Sequence, residues 1–287
     1  MKIPIFYFSS SNNTKYVGEL IGKGLTLINH DPQLISWTSL RSNPINIQEY
    51  EAFGIGGPIY ALSYPPFLIS WIKSLPKANN EQSFFLFDTS AGLPGNALNY
   101  AKKMLEDKGY SFLGGLEIVS PTRDSVFKLS YFENLSWSRE KLDRGFQFGL
   151  KIGKLFEKPN LRVIDWTFRR MPFSIFIRKG FQSVEKALFR FLGKSIQYDS
   201  AKCTNCMECS RLCPTNAIDI ERDPVVDPNL CIGCFKCLRT CPVGALYLKQ
   251  LPNAEYFEGP QEIEGYISPD TILKEYQQSL QNFKEIE

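Results

Sequence analysis

Along residues 1–120, short apolar runs alternate with stretches whose apolar positions recur at helical spacing. Ile3 to Phe8 is apolar and gives way to Ser9-Ser10-Ser11-Asn12-Asn13-Thr14. Tyr16, Val17, Leu20 and Ile21 then fall on one helix face. Gln33 to Trp37 reads as a weak strand, and Ala52 to Gly57 as a buried strand ending in glycines. After Pro65-Pro66, Phe67 to Leu75 is helical. Ser83 to Phe87 is a strongly apolar strand. Ala97 to Lys108 is a helix closed by Gly109, and Phe112 to Val119 is a further strand. Strands separated by helices predict a parallel sheet with right-handed crossovers.

Ligands of such a sheet bind outside the carboxyl ends of its strands. Three predicted loops lie there. The first, Ser9 to Thr14, offers hydroxyls and the free N–H groups of a helix start, a cradle for a phosphate. The second holds Pro58, Ile59 and Tyr60 and sets an aromatic ring beside a tight turn. The third, Thr89-Ser90-Ala91-Gly92, offers small residues where a flat ligand can approach backbone N–H groups. The plain alternatives are that the first loop is only a helix cap and that Tyr60 packs on a neighbour.

Farther along, the pattern changes to an internal repeat. Cys203, Cys206, Cys209, Cys213 and Pro214 recur 28 residues later as Cys231, Cys234, Cys237, Cys241 and Pro242. Ala217-Ile218 answers Ala245-Leu246. All eight cysteines of the chain lie in this window, which argues against a disulfide framework spread through a secreted fold. Paired zinc sites are the competing assignment. They need neither the third cysteine at the same spacing nor the Cys-Pro that follows. The pattern is instead the bacterial iron–sulfur run, whose fourth cysteine ligates the other cluster. Cluster one then takes Cys203, Cys206, Cys209 and Cys241. Cluster two takes Cys231, Cys234, Cys237 and Cys213. No ligand position carries Asp, so both are expected to be complete [4Fe–4S] clusters.

Residues 198–250 resemble a bacterial two-cluster ferredoxin, a small α+β domain. The N-terminal part resembles the flavodoxin-like family, whose first loop runs S-G-T-G-N-T. Here Ser9, Asn13 and Thr14 match, Ser11 stands for threonine, and Ser10 and Asn12 replace the glycines. The resemblance implies a doubly wound α/β sheet of order 2-1-3-4-5 and an FMN held by the three loops. The whole chain resembles the flavodoxin–ferredoxin fusions of anaerobes.

Charge divides the rest of the chain. Residues 159–197 form a basic, aromatic, helical connector. Within it Arg162, Arg169, Arg170, Arg178, Lys179, Lys186, Arg190 and Lys194 face only Asp165 and Glu185. Trp166, Phe168, Phe173, Phe176, Phe181, Phe189 and Phe191 are interleaved. Packing of the two units together is the preferred expectation for these aromatics. Contact with an acidic redox partner, or peripheral binding to an anionic membrane through residues 160–195, is the alternative. Residues 251–287 form an acidic tail with a balance of −6. The net charge of +3 marks no general nucleic-acid binder, and no nucleic acid is expected. The only histidine, His30, falls just past the first helix and is not expected to be a catalyst.

The domains are therefore expected at 1–158, 159–197, 198–250 and 251–287. The expected function is electron transfer among FMN, two [4Fe–4S] clusters and an external redox partner. The alternatives are a flavin-dependent reductase of a small substrate and a subunit of a membrane-associated redox complex. No catalytic acid, base or nucleophile stands out. Lacking a secretory leader pattern and any apolar run of roughly 20 residues, the chain is expected in the cytoplasm, with the inner membrane face as a peripheral option.

Overall fold

A computed structural model describes residues 1–79, 81–92, 94–122, 135–157, 174–219, 225–254, 256 and 259–284, with the side chains of residues 157, 174–184, 283 and 284 left aside. Five parallel strands form the first unit: β1 (Lys2–Tyr7), β2 (Asp31–Ser36), β3 (Ala52–Pro58), β4 (Ser83–Ser90) and β5 (Ser111–Val119). Their spatial order is β2-β1-β3-β4-β5, the flavodoxin-like doubly wound arrangement expected from the sequence.

Both faces of the sheet are covered. Ile3, Ile5, Phe85 and Phe87 point to α1 (Asn13–Thr26) and α5 (Arg139–Glu157). Phe6, Phe53, Phe84 and Leu86 point to α3 (Pro66–Ser74) and α4 (Ala97–Glu106). Burial on both sides explains why β3 and β4 read as continuous apolar runs rather than alternating ones. The glycines of β3 make room for the rings of β4. A Cβ on Gly54 would lie 2.4 Å from the Phe85 ring, and one on Gly56 2.0 Å from the Phe87 ring.

The second strand ends one residue earlier than the apolar pattern implied. Ser36 accepts a hydrogen bond from the Ser39 amide at 3.1 Å, capping α2 (Trp37–Ser42). Trp37 thereby becomes the first residue of a helix.

The region of the cysteine repeat is small. After α6 (Ser174–Ser195) come β6 (Ile196–Tyr198), α7 (Glu208–Arg211), β7 (Ile218–Asp219), β8 (Val225–Val226), α8 (Lys236–Thr240) and β9 (Leu246–Leu248). β6 pairs antiparallel with β9, and β7 with β8. Ile196, Ile218, Phe235, Leu238, Leu246 and Leu248 form its core. The end of α6 packs there too, since Leu192 joins this core and Gly193 lies against Cys231.

The chain then returns to the first unit. In α9 (Pro269–Lys284), Ile272 is wholly buried in the α1 and α5 core, and Tyr276 stacks on Phe146 at 4.2 Å. The Tyr16 hydroxyl donates to the Ile267 carbonyl at 2.6 Å. Residues 260–284 are acidic at the surface and anchored by these apolar positions.

Candidate cofactor sites

The three expected loops meet at the carboxyl edge of the sheet. Ser9, Asn13 and Thr14 are buried at the turn from β1 into α1. Asn12 holds the left-handed conformation the turn requires, with φ 62°. This is the position where the related loop pattern carries glycine, and asparagine tolerates it better than most residues. Thr14 Oγ1 lies 2.7 Å from Thr89 Oγ1, tying the first loop to the third. Ser10 Oγ lies 2.8 Å from the Tyr60 hydroxyl, tying it to the second. The Ile59 amide donates to the Thr89 carbonyl at 2.9 Å. Ser90 accepts from the Gly92 amide at 3.4 Å, and Ala91 and Gly92 are half-buried. Pro58 ends β3.

The second loop is a tight reversal. Tyr60 and Ser63 exchange backbone hydrogen bonds around Ala61 and Leu62, both at positive φ. Non-glycine residues there carry strain, which proteins concentrate at ligand loops. Asn13 Nδ2 donates to the Pro121 carbonyl at 2.7 Å, while among the described residues its buried Oδ1, an acceptor, has no partner. The free N–H groups of the first turn of α1 face the same loop.

A feature absent from the sequence reading lies just below. Asp88 of β4 is wholly buried, and among the described residues neither carboxyl oxygen has a partner. Burial, and then Glu117 in register on β5, push its pKa well above the usual range. Glu117 is itself pushed up by burial to about 7, with Arg144 opposing. A lone Asp in an otherwise apolar strand was the available signal.

In the dicluster region the 28-residue repeat is structural as well as sequential. Positive φ occurs at Asn205 and Gly233, at Met207 and Phe235, and at Asn216 and Gly244, each pair one repeat apart. Sulfur contacts repeat likewise. The Cys203 and Cys231 sulfurs accept from the amides of Asn205 and Gly233 at 3.4 Å. The Cys213 and Cys241 sulfurs accept from Ala217 and Ala245 at 3.2 Å. Such N–H donors tune iron–sulfur potentials.

Cys213, Cys231, Cys234 and Cys237 line one cavity, and Cys209 lies near Cys206, Cys241 and Cys237. Burial raises the Cys209 pKa, and nearby Cys241 and Cys206 raise it further. Cys213 lies close enough to raise Cys231, Cys234 and Cys237, whose main cause is again burial. Cys234 is pushed up to about 12. Among the described residues, no three His, Cys, Asp or Glu side chains are gathered closely enough to hold a single metal ion.

The two units touch through a few polar contacts. Arg41 Nη1 donates to the Cys213 carbonyl at 2.6 Å and to Asn216 Oδ1 at 2.7 Å. Its Nη2 reaches the Arg211 carbonyl at 3.1 Å. Trp37 Nε1 donates to the Pro214 carbonyl at 3.0 Å. Lys236 Nζ donates to the Ser9 carbonyl at 3.0 Å, linking the repeat to the first loop. A cleft of about 340 Å³ opens beside these contacts, lined by Ser9, Asn12, Trp37, Arg211 and Lys236 among others.

The connector is described only in part. Arg162, Trp166, Phe168, Arg169, Arg170 and Phe173 lie outside the described residues, as do the side chains of Phe176, Arg178, Lys179 and Phe181. Phe189 is buried and Phe191 exposed. Among the described residues, no helix is long and apolar enough to cross a membrane. His30 lies away from the loops, with Nε2 3.2 Å from the Gly153 carbonyl and its ring against Phe156.

Residues 202–245 match the family model described as a 4Fe-4S dicluster domain. No curated protein matches the chain. Among solved structures, a flavodoxin from the domain Archaea is similar at 20% identity and TM-score 0.43, covering 55% of this chain and 99% of that one. Flavodoxin 1 from Bacillus cereus is similar at 16% identity and TM-score 0.42, covering 54% and 98%. The Flv1 flavodiiron core from Synechocystis sp. PCC6803 is similar at 17% identity and TM-score 0.41, covering 55% and 36%. The fold assignment stands on the sheet order itself. A flavodoxin-like sheet joined to a 4Fe-4S dicluster module is equipment for electron transfer.

Proposed function

We propose that this chain relays electrons between an FMN in its first unit, two [4Fe–4S] clusters in its repeat, and an external redox protein. The observation that carries the reading is the Lys236 to Ser9 hydrogen bond, which joins the dicluster repeat to the loop best suited to a phosphate. In this reading Ser9 to Thr14 hold the phosphate, while Pro58, Ile59 and Tyr60 and the stretch from Thr89 to Gly92 flank the ring system. Cys203, Cys206, Cys209 and Cys241 hold one cluster, and Cys231, Cys234, Cys237 and Cys213 the other. FMN supplies exchange between one-electron and two-electron chemistry. The chain's part is to hold the groups close, keep water from the buried thiolates and set potentials with the amides of Asn205, Ala217, Gly233 and Ala245. Residues 1–158 are the flavin unit and 198–250 the cluster unit, joined by 159–197. Residues 260–284 belong structurally with the first unit, onto which α9 packs.

Anaerobic purification, with flavin and iron assayed on the same sample, tests this reading. About eight irons and one FMN per chain are expected. Iron without flavin refutes the two-cofactor version.

A further inference from the structure

The two expected sets of cluster ligands differ in where they face. The hydrogen bonds that join the units involve Arg211, Cys213, Pro214, Asn216 and Lys236. Cys213 lines one cavity with Cys231, Cys234 and Cys237, and Lys236, between the last two in sequence, lines it too. In the other set Cys203, Cys209 and Cys241 are half-buried. Cys206 is exposed, and its neighbour Met207 is 58% exposed. Val243, two residues beyond Cys241, is exposed as well.

We infer that the cluster on Cys213, Cys231, Cys234 and Cys237 is the inner one, exchanging electrons with the first unit through the Lys236 and Ser9 contact. The cluster on Cys203, Cys206, Cys209 and Cys241 is the outer one, and the surface of Cys206, Met207 and Val243 meets the external partner. This order rests on the electron-transfer reading above. The partner is a one-electron carrier protein. Each transfer moves one electron and makes or breaks no bond at the clusters. The carrier is oxidised as the outer cluster is reduced, and the outer cluster is reoxidised by the inner. Two such electrons, with two protons from solvent, reduce one flavin, and the reverse flow balances in the same way.

Lys236 is a positioning residue shared by both sites. Its ammonium group lies beside the inner ligands and hydrogen-bonds the first loop. Loss of a neighbouring cation makes a group harder to reduce. Lys202, next to Cys203 and exposed in an ion pair with Asp199, is the corresponding outer cation.

The test is a redox titration of the full-length holoprotein, with clusters followed by electron paramagnetic resonance and flavin by absorbance. Lys236→Met is expected to lower the flavin potential and one cluster potential together, and Lys236→Arg to restore both. Lys202→Met is expected to lower only the other cluster potential. Arg41→Gln removes a cation from the Cys213 carbonyl without touching Lys236, so it serves where Lys236→Met fails to fold. It is expected to lower the same cluster potential as Lys236→Met. The order is overturned if the flavin potential follows Lys202 rather than Lys236. It is equally overturned if Arg41→Gln and Lys202→Met lower the same cluster. Wild-type protein with clusters and no flavin refutes the two-cofactor reading on which the order rests, and the order falls with it.

Discussion

The α1 and α5 helices pack backbone to backbone at Gly149, and Gly149→Ala tests that packing. Glycine at this helical position costs about 1 kcal/mol relative to alanine, so propensity alone predicts stabilisation. The structure predicts the opposite. A Cβ on Gly149 would lie 2.0 Å from the Ile21 carbonyl oxygen, about 1.4 Å short of the 3.4 Å at which ordinary contact begins. The obstacle is backbone, so α1 and α5 must move apart. A gap of about 1 Å forfeits a quarter to a half of each dispersion contact across it. Leu20, Ile21, Phe146 and Ile152 lie in this core and are worth about 1.5–3 kcal/mol each when buried. Loss of a third of that for three side chains, less the helix gain, leaves a net destabilisation of about 0.5–2 kcal/mol. The expected fall in melting temperature is roughly 1–8 °C. Gly145→Ala is the control, because the atoms nearest its Cβ belong to Leu20 at 3.2 Å and beyond, so that a yield of a few tenths of an ångström suffices. It is expected within about 0.5 kcal/mol of wild type. Circular dichroism melts of anaerobic holoprotein, at one scan rate, provide the measurement. A Gly149→Ala protein that melts at or above wild type refutes the reasoning.

Further expectations concern charge, docking and iron. Glu117 titrates near 7 in the fold against 4.5 when free, so the native state keeps the proton longer and stability falls as pH rises through that interval. At about 1.4 kcal/mol per pH unit this is at most about 3.4 kcal/mol, and screening at a half-buried site cuts it to about 1–2. In denaturant unfolding, Glu117→Gln should match wild type at pH 4 and exceed it by that amount at pH 8; a constant difference would refute the assignment. Arg41→Ala removes three hydrogen bonds between the units, each charge-assisted bond being worth about 1.5–3 kcal/mol before solvent competes. Amide exchange of residues 213–216 should accelerate in Arg41→Ala, and unchanged protection would contradict the docking role. Stripping iron with a chelator should unfold residues 198–250, whose core is small, while amides of β3 and β4 stay protected. Loss of protection in both regions together would show that the sheet depends on the clusters.

Local chemistry was readable in advance. The strand and helix alternation, the three loops and the cysteine repeat all rest on short-range patterns, and the structure places each at the expected edge or turn. What stayed hidden depends on partners far along the chain. Trp37 continued an apolar run, and only the Ser36 cap turns it into a helix start. Nothing in the local sequence marks Arg41 or Lys236, since their partners lie 172 and 227 residues away. Residues 260–284 read as acidic because their anchors, Ile263, Ile272 and Tyr276, are few and widely spaced among charges. Asp88 was hidden by the neighbours that bury it, because nothing in an apolar strand states whether its one carboxyl reaches solvent.

The central claim is that electrons cross between the two units within one molecule. Flash photolysis of anaerobic holoprotein, with flavin reduced by a light pulse and cluster bleaching followed in time, tests it most directly. The account predicts a first-order transfer whose rate is unchanged when protein concentration is varied. A rate that scales with concentration, or reduced flavin that never bleaches the clusters, would contradict it.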